Sequence, residues 1–105
     1  MIAILNQVCT YWPPGEESEW GGTSYGSPEH MPCRREGTTK LIRSKEGREI
    51  VASMVYWLPK AIDLSGRIAP GWVTDAQPPS LAKEPQSITE RVGLDGKTDH
   101  WQVYV

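Results

Sequence analysis

The stretch Glu49-Ile50-Val51-Ala52-Ser53-Met54-Val55-Tyr56-Trp57-Leu58 decides the fold class. It contains no Gly or Pro and is rich in β-branched and aromatic side chains, the composition of a strand. Strand alternation puts Ile50, Ala52, Met54, Tyr56 and Leu58 on one face and Val51, Val55 and Trp57 on the other. Apolar groups on both faces predict burial from both sides, so residues 49–58 are expected to form one central strand of a small barrel or sandwich. Pro59 ends it, because proline has no N–H to give to a ladder.

The same pattern of short strand runs and turn signals extends to both sides. Upstream, Ser44-Lys45-Glu46-Gly47 reads as a turn with Gly47 suited to positive φ. Residues 31–36 and 39–43 read as strand pieces separated by Gly37, and residues 2–12 as the first strand. Downstream, Asp63-Leu64-Ser65-Gly66 is a turn before a short segment at 67–69. Residues 86–94 alternate, although Glu90 interrupts the apolar face and Ser87 with Glu90 could open a short helix instead. Asp95-Gly96 is a hairpin signal, and residues 100–105 should pair back on the strand before it. Two connections are long. Residues 13–30 are rich in Pro, Gly, Ser and Glu, and residues 73–86 carry Pro78, Pro79 and Pro85, with one helical turn expected near 80–84. The expectation is an all-β chain forming one domain over 1–105, a small β-barrel or sandwich of about six short strands with long loops at 13–30 and 73–86.

Composition narrows the function. The chain has 105 residues, a net charge of −2 and five Trp and four Tyr but no Phe. That charge exerts no general pull on nucleic acid or an anionic membrane. No stretch approaches the ~18 apolar residues of a membrane span. The apolar start at residues 1–5 lacks a basic flank and is too short for a signal peptide, which points to a cytoplasmic origin and to free thiols at Cys9 and Cys33. Nucleophile elbows, P-loops and His-Glu-x-x-His do not occur, so no catalytic residues and no cofactor are expected. His30 and Cys33 have the spacing of half a zinc site, but Cys9 and His100 stand alone, so no metal is expected.

Two features point to partner contacts. Arg34, Arg35, Lys40, Arg43, Lys45 and Arg48 crowd more than half of the 11 basic residues into fifteen positions, diluted by Glu36, Glu46 and Glu49. Such a run is either a solvated hairpin of mixed charge or a positive edge for an acidic partner or DNA phosphates. In the long loop, Trp20 and Tyr25 are aromatic side chains among small and acidic residues, the types that anchor interfaces. Trp20, Tyr25, Arg34, Arg35, Arg43 and Arg48 are therefore the candidate interface residues.

Thr10-Tyr11-Trp12 closing the first strand, then a Gly-rich loop, Cys33-Arg34-Arg35-Glu36, the Lys45-Glu46-Gly47 turn, Ala52-Ser53-Met54-Val55-Tyr56, Asp63-Leu64-Ser65-Gly66, a segment around Ile88 and a terminal hairpin follow one another in order from about residue 10 to 104. In that order and spacing the chain resembles the head-closure (stopper, or head–tail joining) proteins of long-tailed bacteriophages. It departs from their pattern at Arg35, where an aromatic residue is expected, and in the length of the Pro78-Pro79 loop. The resemblance implies a β-barrel with projecting loops, assembled as a homo-oligomeric ring of six or twelve copies in the virion neck after synthesis in the host cytoplasm. It also implies a portal or adaptor protein above, a tail terminator or tail protein below, passing contact with packaged double-stranded DNA, and no membrane. The rival from another class is a small nucleic-acid-binding barrel of the OB or SH3 type. That rival needs aromatic residues interleaved with Lys or Arg on one strand face, whereas Tyr56 and Trp57 lie in the most apolar strand.

Overall fold

A computed structural model describes residues 5–15 and 25–105. Every regular element among them is a strand: β1 (Gln7–Trp12), β2 (Glu29–Gly37), β3 (Leu41–Arg43), β4 (Glu49–Val51), β5 (Met54–Leu58), β6 (Arg67–Pro70), β7 (Ser87–Val92) and β8 (Thr98–Tyr104). The fold class is all-β as expected, with eight described strands rather than about six. A six-stranded sheet runs β6-β1-β2-β5-β8-β7, every neighbour antiparallel, and β3 pairs only with β4.

Strand β2 gives the sheet its shape. Residues 29–33 pair with β1, from Tyr11↔Glu29 to Gln7↔Cys33, and residues 34–37 pair with β5, from Arg34↔Trp57 to Gly37↔Met54. One strand thus belongs to two small sheets and turns the corner between them. Pro32 fits because β5 begins pairing only at Arg34, so its missing N–H falls where β2 has one partner. The inner faces close on one core of Cys9, Tyr11, Met31, Cys33, Tyr56, Leu58, Ile68 and Val103, with Met54, Ile62, Ile88 and Val105 packed against it. Ile68 and Ile88 come from the two edge strands, which would lie more than 20 Å apart in a flat sheet at ~4.8 Å per strand. The sheet is therefore rolled around its apolar face, short of a closed barrel. Across the open seam Lys83 makes a two-way backbone bridge to Ile68, and Gln86 N–H bonds Tyr104 O a few residues later.

The expectation of one central strand over 49–58 needs correction. Only β5 is central, between β2 and β8; β4 belongs to the two-stranded hairpin. Pairing runs from Gly37↔Met54 through Thr38 N–H to Ser53 O and Ala52 N–H to Lys40 O, and then to Leu41↔Val51. The register gains one residue on the β2–β3 side, a bulge at 38–40 that bends the long hairpin. Buried Ala52 is the pivot, and Ile42 comes down beside Ala52, Val55, Tyr104 and Trp57 in a second apolar cluster. Val55 and Trp57 thus lie on the face opposite Tyr56 and Leu58, as alternation predicts, but their cover is the chain's own hairpin.

The turn expectations hold at Gly47, with φ of 85°, and at Gly96, with φ of 80°. The strand reading of 86–94 holds and the helix alternative does not: β7 pairs with β8 from Ser87↔Tyr104 to Val92↔Thr98. Glu90 escapes burial because the hairpin overhangs the core there. The helical turn expected at 80–84 is absent; Ala82 N–H bonds Pro79 O and Lys83 extends into its bridge with Ile68. The first strand begins at Gln7, and residues 1–4 lie outside the described residues.

Leu58 is fully buried and Leu94 is 100% exposed, so one residue type probes both environments. Leu58→Ala should cost about 2–5 kcal/mol of unfolding free energy by urea titration, while Leu94→Ala should change it by less than about 0.5 kcal/mol. Equal effects would refute this division of core from surface.

Candidate functional site

The candidate residues separate into three groups. Tyr25, Arg43 and Arg48 gather at one end of the molecule, Arg34 lies on the outer sheet face, and Arg35 turns inward. Trp20 lies outside the described residues.

A chain of polar contacts joins Tyr25 to the hairpin that carries Arg43 and Arg48. Tyr25 stands at the base of the long loop, where Pro14 and Tyr25 form a β-bridge and Gly26 N–H bonds Pro13 O at 2.8 Å. Its hydroxyl accepts from Arg67 Nε at 3.0 Å, and that bond raises the Arg67 pKa. Arg67 Nη1 lies 3.5 Å from Glu84, whose other oxygen pairs with Lys45 Nζ. Lys45 sits in the β3–β4 turn and also donates to Leu64 O at 3.0 Å. The half-buried Tyr25 is therefore packed against its own domain, and through Arg67 and Glu84 it is tied to the basic hairpin. Beside it, Tyr25, Arg67, Pro78, Pro79, Ser80 and Ala82 line an open notch of about 330 Å³.

The hairpin itself is well defined. Ser44 Oγ accepts from the N–H groups of Glu46 and Arg48, and Arg43 donates to Gly47 O at 3.1 Å. Its inward side chains, Ile42 and Ile50, are half-buried, while Leu41, Arg43, Glu49 and Val51 are exposed. Leu41 and Val51 stand directly opposite each other at 61% and 64% exposure.

Arg34 lies over the Trp57 ring at 5.1 Å and pairs with Glu36 at 3.0 Å. His100 flanks the same ring at 5.3 Å, and its Nδ1 is 2.7 Å from Asp99 Oδ2. Arg35 follows the parity of Cys33 and acts electrostatically on Cys9, Cys33 and Tyr56, favouring the charged form of each. Cys9 and Cys33 are free thiols, both fully buried. The Cys9 thiol donates to the Cys33 sulfur; that bond and burial push Cys9 up, while the same bond lowers Cys33 against the opposing effect of burial. Their burial makes the pair part of the packing, because a nucleophilic thiol needs access as well as a thiolate. Among the described residues no three His, Cys, Asp or Glu side chains gather as a metal site. His30 instead stacks on Trp72, ring centroids 3.8 Å apart, with Nε2 2.7 Å from Val73 O.

Sequence reasoning missed Trp72, 66% exposed on a loop strapped to β1. Buried Thr10 donates to Gly71 O and accepts from Val73 N–H, and Trp12 Nε1 donates to Asp75 O. The signal was local: a Trp directly after Pro70-Gly71, in a segment with little other apolar content. No family model, curated protein or solved structure matches this chain.

Tyr11 supplies a pH test. Its hydroxyl donates to Asp63 O at 2.8 Å and accepts from Asp63 N–H at 3.1 Å, and burial raises its pKa from 10.0 to about 12. The folded state holds the proton more tightly, so this contribution is complete below pH 10 and is lost as pH rises towards about 12. Tyr56, also raised by burial, acts in the same direction. The melting temperature should fall through this window, and Tyr11→Phe should flatten the fall while costing about 1 kcal/mol at neutral pH. An equally steep alkaline loss in Tyr11→Phe would refute it.

Proposed function

We propose that this protein is a structural component of the head–tail connector of a long-tailed phage, closing the DNA-filled head below the portal and offering a docking surface to the tail. The observation that carries the reading, beside the ordered resemblance over residues 10–104, is the division of labour in the fold. A rolled β core buries Trp12, Tyr56, Leu58, Ile68 and Val103, while two hairpins and a strapped loop present Leu41, Val51, Trp72, Val92 and Leu94 to solvent. Aliphatic and aromatic groups held outward on ordered elements are available to meet a neighbouring subunit, the use that exposed apolar surface commonly serves when it is contiguous. In a ring, Arg43 on the exposed hairpin face and exposed Arg48 at its turn would meet acidic neighbours or passing DNA phosphates. The Pro14–Tyr25 bridge fixes where the long loop leaves the domain.

Disrupting the coding sequence in the parent phage should yield heads that lose their DNA and tails that do not attach, and supplying the protein in trans should restore infectious particles. Intact infectious particles from the disrupted phage would overturn the reading.

One observation favours the nucleic-acid alternative. Trp57 faces away from the main core, with Arg34 over its ring and His100 beside it, and Arg91 donates to neighbouring Gln102 at 3.2 Å. This is a short aromatic and cationic strip on a sheet face, assembled from separate strands and therefore invisible in the linear sequence. If the alternative holds, single-stranded DNA should quench tryptophan fluorescence with a steep salt dependence, and Trp57→Ala should weaken binding by about 1–3 kcal/mol. On the connector reading, Trp57→Ala should leave DNA contact unchanged.

A further inference from the structure

In the sequence Cys33 stands close behind His30, but along β2 the two side chains point to opposite faces. His30 goes outward to Trp72, and Cys33 goes into the core. There it meets two other sulfur-bearing side chains. Cys9 of β1 donates its thiol hydrogen to Cys33. Met31 lies directly across the ladder from Cys9 and has the same parity as Cys33, so all three share one face of the β1–β2 pair. All three are buried in the main core cluster. Directly opposed residues bring their Cβ atoms within about 4.5–5.5 Å, and an unbranched thioether adapts to the space beside it.

Arg35 adds a positive charge to this corner. It has the inward parity of Cys33 and acts on both thiols in the direction that favours thiolates. Its guanidinium takes part in none of the ion pairs among the described residues. The side chain is half-buried, so a path from solvent to the sulfurs runs along it.

The donor set selects the kind of metal. Two thiols and a thioether are soft ligands, and among the described residues no carboxylate or imidazole joins them as a third hard or borderline donor. Structural zinc takes four ligands and iron–sulfur clusters take four cysteines, so three sulfurs suit neither. Copper(I) is soft and is satisfied by two or three sulfur donors. Charge also balances. Copper(I) replaces two thiol protons, which leave to solvent; copper–sulfur bonds form as S–H bonds break, and no electron is transferred. The bis-thiolate complex carries one negative charge, and Arg35 beside it carries one positive charge, which meets the requirement that a buried charge be paired.

We propose that Cys9 and Cys33, with Met31 as third donor and Arg35 as the balancing charge, form a buried site for copper(I) at the inner corner between β1 and β2. The ion ties β1 to the first half of β2, just before β2 changes partner. The site goes beyond the connector reading and neither needs it nor supports it.

Anaerobic titration of the purified full chain with copper(I), supplied as its acetonitrile complex and left to equilibrate, tests it. Ultraviolet thiolate-to-copper absorption should grow and saturate at one ion per chain. The melting temperature should rise, because the ion binds the folded state. X-ray absorption at the copper edge should show sulfur neighbours only, and zinc(II) under the same conditions should leave the melting temperature unchanged. Cys9→Ser and Cys33→Ser should each weaken binding by more than about a hundredfold, whereas Arg35→Gln should weaken it about tenfold, as loss of an outer-shell partner does. Met31→Leu conserves volume and so keeps the core. It should still bind, with one sulfur fewer around the copper, and this spectrum decides the matter if a serine variant fails to fold. No binding at one equivalent, an equal response to zinc(II), nitrogen or oxygen neighbours at the copper, full affinity in a folded Cys33→Ser, or an unchanged copper spectrum in Met31→Leu would overturn the site. None of these outcomes bears on the connector reading, which the disrupted phage tests by itself.

Discussion

Strand β2 hydrogen-bonds to β1 over its first half and to β5 over its second, and the rest of the molecule depends on that change of partner. With one neighbour lost and another gained at Cys33 and Arg34, the strand turns a corner. The inner faces of the two resulting sheets then have only each other to bury against. Cys9 and Ile68 from one side meet Tyr56, Leu58 and Val103 from the other. Gly66 is required at the junction because Tyr11 crosses it: a Cβ there would stand 2.4 Å from Trp12 O and 2.6 Å from the Tyr11 ring. The fully buried pair Cys9 and Cys33 occupies the crowded inside of that corner, where small side chains suit the closeness of the sheets.

The second half of β2 also determines what projects. Pairing with β5 continues past Gly37 into a bent extension, so the basic hairpin is the far end of the same ladder that builds the core. Its position is secured from two sides, by Ile42 on the Val55–Tyr104 cluster and by Lys45 on Glu84 and Leu64. Glu84 in turn reaches Arg67 and, through it, Tyr25. The base of the acidic loop and the basic hairpin are therefore held at one end of the molecule by polar contacts, most of them partly solvated and individually weak. Such an end is defined in shape, while its exposed charges and aliphatic groups remain free to meet a partner. At the opposite end the β7–β8 turn is held by backbone bonds and by the Asp95 carboxylate, which accepts from Lys97 N–H, and the side chain of Leu94 points wholly outward.

The candidate interface residues show how far linear reasoning carries. Arg34 and Arg35 are adjacent and look alike in a list of basic residues, yet strand alternation sends one over Trp57 on the outer face and the other towards the buried thiols. Tyr25, read as an anchor for a partner, is held by Arg67 of its own domain. Trp72 is marked locally by the Pro70-Gly71 before it, but its exposure depends on Thr10, Trp12 and His30, distant in the chain, holding its loop in place.

Sequence alone determined the all-β class, the turns at Gly47 and Gly96, the terminal hairpin and the two faces of residues 54–58. These follow from local physics: side-chain period, the backbone freedom of glycine, and the missing N–H of proline. Tertiary structure decided the break of residues 49–58 at Ala52, the corner in β2, and the placement of Lys83 against Ile68 in place of a helical turn. It also decided which aliphatic side chains stay uncovered. Leu58 and Leu94 are chemically the same residue, and no local signal separates a leucine that meets the opposite sheet from one carried beyond its edge. Burial is a property of where distant segments meet, and in this chain the change of partner along β2 determines where they meet.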